Sequence, residues 1–490
     1  MKLKDLLHNA LGEERITGDL GDTLVAGVTA DSRLVKDSFV FVAIKGTSVD
    51  GHRFIAQAVK KGARVVIVQS SEVLPQELQL PLLIKVKDSR IALAKLAAEF
   101  YANPSARMKV AGITGTNGKT TVTYLMEAII KEAGFSVGVI GTVDYRFKNR
   151  SIPSKNTTPG PLELQSLLAE MLAAEVDYAV MEVSSHALAQ ERVQGIKFYS
   201  AIFTNITQDH LDYHKTQEEY FQAKSKLFRN IHPPGYAVIN NDDPYSARLK
   251  ELTKSEIVTY GINNDSDIMA KDIKFDIRHT DFTLRDNINR RELKLKTNLI
   301  GIFNTYNILC AVAWALRDGL DLEIIVSALE KFSLVPGRLE RLDSRRGFQI
   351  FVDYAHTEDA LKNVITTLKQ LPHKRLIVVF GCGGERDRTK RPKMGSAVTE
   401  LADFAVITSD NPRSEVPEAI IEEIRQGIKK DNYCVFVDRQ EAIKKGLSLA
   451  RDEDIVLLAG KGCENYQILK DKRIEFDDRE VARQCLKSLN

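Results

Sequence analysis

The run Val110-Ala-Gly-Ile-Thr-Gly-Thr-Asn-Gly-Lys-Thr-Thr-Val122 decides how this chain is read. Val110 to Ile113 reads as a short apolar strand and Gly115 to Thr120 as a glycine-rich loop. Val122, Leu125, Met126, Ile129, Ile130 and Ala133 then return at helical spacing until Gly134, the expected stop. Strand, loop and helix in that order suit a phosphate, because glycines let backbone N–H groups curl round it and the helix start adds its positive end. Lys119 would neutralise the outer phosphates while the Thr120 hydroxyl reaches magnesium. The usual Gly-x-x-x-x-Gly-Lys spacing is not met, since Ile113 stands five before Gly118. The loop is a variant, and a glycine-rich turn ahead of a helix is the plain alternative.

Working outward, strand-like runs at Ser38 to Ile44, Ala63 to Val68 and Leu82 to Val86 precede a helical pattern from Ser89 to Phe100, and Asn103-Pro104 reads as a linker. After the loop, strands are expected at Tyr178 to Val183, Tyr199 to Asn205 and Tyr236 to Asn240. A small antiparallel insertion is expected over Ile257 to Ile300 and a helix from Asn304 to Asp318. Beyond Pro336-Gly337-Arg338 come strands at Phe348 to Val352, Arg375 to Phe380, Phe404 to Thr408, Tyr433 to Val437 and Ile455 to Ala459. Strands alternating with helices imply largely parallel sheets. The expected fold is α/β in three domains, 1–105, 106–335 and 336–490. The central one resembles a P-loop ATPase and the last a Rossmann domain.

With 43% hydrophobic and 28% charged residues, the 490-residue chain has the composition of a globular protein. Its formal charge of +3 gives no reason to expect nucleic acid or an anionic membrane surface, so small-molecule partners are expected. Five widely spaced cysteines without a Cys-x-x-Cys pair argue against disulfides and zinc, and a cytoplasmic setting fits. Met1 to Glu14 mixes charges with short apolar runs, which suits neither a signal peptide nor a membrane span. The expected state is a monomer.

Phosphoryl transfer needs ligands for magnesium. Glu182 ends an apolar strand and His210 follows another, and strand ends are where doubly wound sheets bind ligands. Taken alone, a structural histidine in Asp209-His-Leu-Asp-Tyr-His214 is the competing reading. Lys224 is odder. Tyr220, Phe221, Leu227 and Phe228 place it inside the apolar stripe of its helix, where burial would lower its pKa and leave a nucleophile reactive even toward carbon dioxide. A lysine snorkelling from the edge, as Lys226 should, is the alternative.

Gly-Thr-Asn-Gly-Lys-Thr-Thr (115–121), Glu-Val-Ser-Ser-His-Ala-Leu (182–188), Asn-x-x-x-Asp-His-Leu-Asp-Tyr-His (205–214), Gly-x-Phe-Asn-x-x-Asn (301–307), Pro-Gly-Arg-Leu-Glu (336–340) and Val-Asp-Tyr-Ala-His (352–356) together resemble the Mur ligase family of peptidoglycan precursor synthesis. The resemblance spans essentially the whole chain. It implies an ATP-dependent ligase that adds the third amino acid to UDP-N-acetylmuramoyl-L-alanyl-D-glutamate through an acyl phosphate, with ATP and Mg2+. It implies that Gly115, Thr116, Asn117, Gly118, Lys119, Thr120, Thr121, Asn304, Arg338, Asp353 and His356 meet the nucleotide. Ser32, His52, Asn156, Thr157, Thr158, Ser184, Gln190 and Arg192 would meet the UDP-sugar dipeptide. Thr120, Glu182, His210 and a carbamylated Lys224 would hold metal, with Lys119, Glu182, His210 and Lys224 catalytic. From the residues alone, Asp31 or Ser32 reads equally as a cap or turn, Thr158 as a helix cap with Pro159 at the first position, and Asn304 as a cap.

Which amino acid is added turns on charge. Diaminopimelate carries a second carboxylate that lysine lacks, and an arginine offers it a planar fork. Asp410-Asn411-Pro412-Arg413 matches the diaminopimelate-type motif, and Arg386, Gly460 and Glu464 match further contacts, Glu464 suiting an ammonium. Against this, Asn-Pro is a common turn and Arg413 could be a surface charge beside Glu415. Cys463 stands where the family usually has histidine. A lysine-adding relative, a folate-polyglutamylating ligase and a nucleotide-dependent switch remain as alternatives.

Overall fold

The structure, a computed structural model, describes residues 1–12, 23–46, 49–71 and 82–488. Parts of Met1 to Glu14 and of the expected first and last domains therefore lie outside the described residues. Three large sheets and a two-stranded hairpin, Tyr466–Leu469 with Lys472–Glu475, organise the described residues. The first has four parallel strands, Gly27–Thr29, Phe39–Val42, Ala63–Gln69 and Leu83–Val86, paired in chain order. The helix Ser89–Phe100 begins where Asp88 accepts from the N–H groups of Arg90 and Ile91, and it packs on this sheet through Ala92, Leu93 and Leu96.

The second sheet has eleven strands. At its centre Lys109–Thr114 lies between Tyr178–Glu182 and Phe198–Phe203, all parallel. Val137–Ile140 continues the parallel array on one side, and Ile231–Asn240 and Glu256–Gly261 on the other. The segment expected as a small antiparallel insertion is corrected in its first part. Glu256–Gly261 pairs parallel with Ile231–Asn240 and with Ile268–Phe275, and the antiparallel pairings of this segment begin only between Ile268–Phe275 and Thr280–Asp286 and continue to Arg291–Thr297, all within the same sheet. Val258 and Tyr260 bury against the helix Ile302–Arg317 within the central core, which holds this strand in the main array.

Trp314, the chain's single tryptophan, is fully buried on that helix. Its indole N–H donates to Ser200 Oγ (2.9 Å) and its ring meets Tyr178 edge-on at 5.8 Å. Trp314→Ala should lower the stability of this domain by about 3–5 kcal/mol through the cavity and the orphaned partner. Urea unfolding followed by circular dichroism checks this, and an unshifted midpoint would contradict it.

The third sheet has six strands in the order Glu340–Leu342, Gln349–Asp353, Ile455–Ala459, Leu376–Cys382, Phe404–Ser409 and Tyr433–Val435, parallel except for the first. Fully apolar strands such as Ile455–Ala459 are those expected when helices cover both faces of a parallel sheet. Among the described residues no helix is long and apolar enough to cross a membrane.

Candidate active site

The phosphate loop joins the strand Lys109–Thr114 to the helix Lys119–Glu132. Its glycines are required by close approach: a Cβ at Gly115 would stand 1.8 Å from Thr204 Oγ1, and one at Gly118 2.4 Å from Asn307 Oδ1. Gly118 also has φ 88°, which a side chain disfavours. Lys119 curls back over the loop, its Nζ donating to the carbonyls of Gly115 and Thr116 (both 2.9 Å). Burial lowers its pKa, and the Glu182 carboxylate opposes that shift.

The loop opens on a cavity of about 1070 Å3 between the second and third sheets. Glu182, His210, Lys224, Arg338, Asp353 and His356 all reach it, although they come from five separate stretches of sequence. Thr120 Oγ1 donates to Glu182 (3.1 Å) and accepts from the Arg338 guanidinium (3.0 Å). Burial holds His210 down to about 3, so it is a neutral imidazole with electron pairs to give. Burial likewise pushes His356 down to about 4. The His356 Nδ1 lies 2.8 Å from the Tyr354 carbonyl and must donate to it, leaving Nε2 as an acceptor.

Lys224 is 2% exposed, on the buried face of the helix Gln217–Arg229 among Tyr220, Phe221, Leu227 and Phe228. Its Nζ donates to the Gly115 carbonyl (2.7 Å) and lies 4.5 Å from the centroid of the Tyr220 ring. No carboxylate pairs with it among the described residues, and burial, helped by Lys119, carries its pKa well below the usual lysine range. Lys226, two residues on, keeps its head out of the core and pairs with Glu191.

The third sheet supplies the far end of the cavity. Arg413 has φ 54° and donates through Nη1 to the Gly384 carbonyl (2.6 Å). Glu415, the carboxylate that would make Arg413 a plain surface charge, is instead taken by buried Arg391, which also binds Glu423. Arg413 and Arg386 make no ion pair among the described residues. Arg413 is buried enough for its pKa to be lowered, with Arg386 adding to the shift. Asn411 donates to Glu464 Oε2 (2.9 Å), and buried Lys461 lies 3.1 Å from the same oxygen. Lys461 carried no separate signal, although it stands inside the Gly-Lys-Gly-Cys-Glu motif.

Several expected positions do not line this cavity: Ser32, His52, Thr158, Gln190, Arg192, Asn304 and Pro412. Ser32 donates to Gln57 (2.8 Å), the His52 ring lies 2.7 Å from Asp50 Oδ1, and Asp31 closes a turn on the Arg33 N–H (2.9 Å). Asn304 sits beneath the wall, bonded to the Ile300 carbonyl and to Asn307, while Asn307 itself lines the wall. The helix start expected at Thr158 and Pro159 is corrected to Pro161, with Gly160 preceding it. Thr158 Oγ1 is occupied elsewhere, donating to the Glu182 carbonyl (2.8 Å) and accepting from the Ser184 N–H (3.0 Å). Asp359 went unread in the sequence; it accepts from Asn117 of the loop (2.9 Å) and Thr207 (3.1 Å), tying the third sheet's domain to the second.

Comparison with known proteins bears on this arrangement. Three family profiles match in order: the Mur ligase family, catalytic domain, over residues 24–101; the Mur ligase middle domain over 113–315; and the Mur ligase, glutamate ligase domain over 337–462. A UDP-N-acetylmuramoyl-L-alanyl-D-glutamate--2,6-diaminopimelate ligase 1 from Clostridium acetobutylicum is 45% identical, with all of both chains covered. The chain belongs to the Mur ligase family. A Mur ligase of that same name from Clostridium tetani is 43% identical, again over all of both chains. A solved structure of a ligase of that name superposes with a TM-score of 0.70 at 30% identity, covering 100% of this chain and 99% of the other. Mur ligases are ATP-dependent amide-forming enzymes, and their three-domain α/β architecture is the one described above.

Proposed function

We propose that this Mur ligase joins meso-diaminopimelate to the glutamyl carboxylate of UDP-N-acetylmuramoyl-L-alanyl-D-glutamate, releasing ADP and phosphate. The observation that carries the amino-acid assignment is the pair Arg413 and Arg386, two guanidiniums at one end of the cavity without a carboxylate partner. A distal carboxylate of the incoming amino acid supplies that partner, and Glu464 Oε1 faces its ammonium. Lysine would leave the arginines unpaired.

In this reading the ATP phosphates lie on the loop, and the nucleotide base lies against Ile302, Phe303 and Tyr306, which line the same cavity. A glutamyl oxygen bonds to Pγ as the bond from Pγ to the bridging oxygen of ADP breaks. The amine nitrogen then attacks the acyl carbon, phosphate leaves, and one proton is lost. Lys119, Arg338 and the helix start face the charge that develops on the phosphoryl group.

The donor set fits magnesium. Thr120 and Glu182 are hard oxygen ligands in contact with each other, and such ions are held by one or two carboxylates plus phosphates. Among the described residues no three His, Cys, Asp or Glu side chains gather as a metal-holding group. Magnesium would neutralise phosphate charge there. A second ion beside His210 fits only if Lys224 is a carbamate, since the free amine offers no negative charge.

One assay tests the proposal: phosphate release by the purified chain with ATP, Mg2+ and the UDP-dipeptide, offered diaminopimelate and lysine in parallel. Release that needs the UDP-dipeptide and diaminopimelate together is expected. Equal turnover with lysine would sink the specificity, and release without the UDP-dipeptide would favour a nucleotide-dependent switch.

A further inference from the structure

Glu182 receives three hydrogen bonds from the protein itself. Thr120 Oγ1 donates to Oε2 (3.1 Å), the Thr142 N–H to Oε1 (2.8 Å) and the Thr142 hydroxyl to Oε2 (2.9 Å). The chain just before Thr142 lies against the carboxylate, for a Cβ at Gly141 would stand 2.6 Å from Oε1. No ammonium or guanidinium pairs with Glu182 among the described residues. Its orientation therefore depends on neutral donors, and two of the three belong to Thr142.

The same Thr142 hydroxyl lies 3.1 Å from Thr157 Oγ1. With Arg338 bonded to Thr120, the side chains Thr157, Thr142, Glu182, Thr120 and Arg338 make one continuous polar run. It leads from the segment assigned to the UDP-sugar dipeptide, past the metal-facing carboxylate, to the phosphate loop and the third sheet's domain. Thr142 and Thr157 both line the cavity.

A threonine hydroxyl has a single proton to give. When Thr142 gives it to Glu182 Oε2, Thr157 can donate to Thr142. When a substrate oxygen accepts the Thr157 proton, Thr157 Oγ1 becomes an acceptor for Thr142. Thr142 can then turn from Glu182, and Oε2 gains an electron pair for a cation while Thr120 still donates to Oε2 and the Thr142 N–H still holds Oε1. The exchange runs equally in reverse, since a cation on Oε2 drives the Thr142 proton toward Thr157 and the Thr157 proton toward the substrate. Coupling between two sites is reciprocal in this way.

We propose that Thr142 is a positioning residue that links occupancy of the dipeptide segment at Thr157 to metal binding at Glu182. This rests on the proposed function, with Glu182 facing magnesium, and on the family resemblance, which assigns Thr157 to the UDP-sugar dipeptide. The link makes the metal site respond to the arrival of the carboxylate that is to be activated.

The test measures Mn2+ affinity of the full chain by electron paramagnetic resonance at saturating ADP, with and without the UDP-dipeptide. For the wild-type chain the UDP-dipeptide should tighten Mn2+ binding about tenfold, the size of one hydrogen bond to a charged group. Thr142→Val keeps the shape and the N–H but removes the hydroxyl, and its ratio should fall to near one. Thr142→Ser should restore the ratio, which a merely structural role for the side chain would not require. Tenfold coupling persisting in Thr142→Val, or a folded Thr142→Ser variant without it, overturns the proposal. A wild-type chain that ligates diaminopimelate yet shows no coupling overturns this inference alone. A wild-type chain that neither binds the UDP-dipeptide nor ligates overturns both readings.

Discussion

Lys224→Ala should lower kcat on the order of 10²–10³-fold while the chain remains folded, and the wild-type enzyme stripped of dissolved carbon dioxide should lose activity in the same sense. The reasoning starts from burial. Lys224 is buried among aromatic and aliphatic side chains, its Nζ bonded to a carbonyl and set against Tyr220, so the ammonium is disfavoured and the balance moves toward the neutral amine. A neutral amine attacks carbon dioxide, forming the N–C bond and losing one proton to solvent, and the carbamate that results is an anion beside His210 and the phosphate loop. Because the proton is lost in this step, the carbamate should decay as pH falls through the lowered lysine pKa. A 13C signal from labelled bicarbonate, present in wild type and absent in Lys224→Ala, checks it directly. Full activity in degassed, bicarbonate-free buffer would contradict it.

Arg413→Ala should reduce kcat/KM for diaminopimelate roughly 10²–10³-fold and leave the KM for ATP unchanged, since removing one partner of a buried charge pair costs about 2–5 kcal/mol. Arg413→Lys should fall between the two, as it keeps the charge but loses the planar fork. The backbone at 413 adds a second reason for specificity. With φ 54° the residue aims its side chain back over Gly384, and a Cβ at Gly384 would stand 1.9 Å from the Pro412 carbonyl, so the two loops interlock. Steady-state kinetics with each substrate varied in turn decides the matter. Unchanged diaminopimelate kinetics would remove Arg413 from the pocket.

Elements whose apolar spacing is local were legible in the chain. The helix Ser89–Phe100 and the strand Ile455–Ala459 were anticipated to the residue, because their hydrophobic pattern and flanking residues carry the whole signal. The edge hairpin Asp144–Phe147 and Arg150–Pro153 went unread. Its residues alternate weakly, and its place is set by pairing with Val137–Ile140. Thr158 misled for a related reason: threonine before a proline is a good local cap signal, but the hydroxyl is claimed by strand-end groups 24 and 26 residues away.

The candidate site divides in the same way. By itself the amino-acid sequence pointed to the phosphate loop, whose residue types stand at short spacing, and to Glu182, His210 and Lys224 as candidates with structural readings left open; the family resemblance supplied their roles and the diaminopimelate-type motif at Arg413. Only the tertiary structure decided that Arg391 captures Glu415 and leaves Arg413 free, that Lys461 shares Glu464, and that Thr142 stands between Glu182 and Thr157. The physical reason is range. Backbone preference and apolar period act over a few neighbours, whereas who accepts a given proton or neutralises a given charge is settled by groups that folding brings together from tens or hundreds of residues apart.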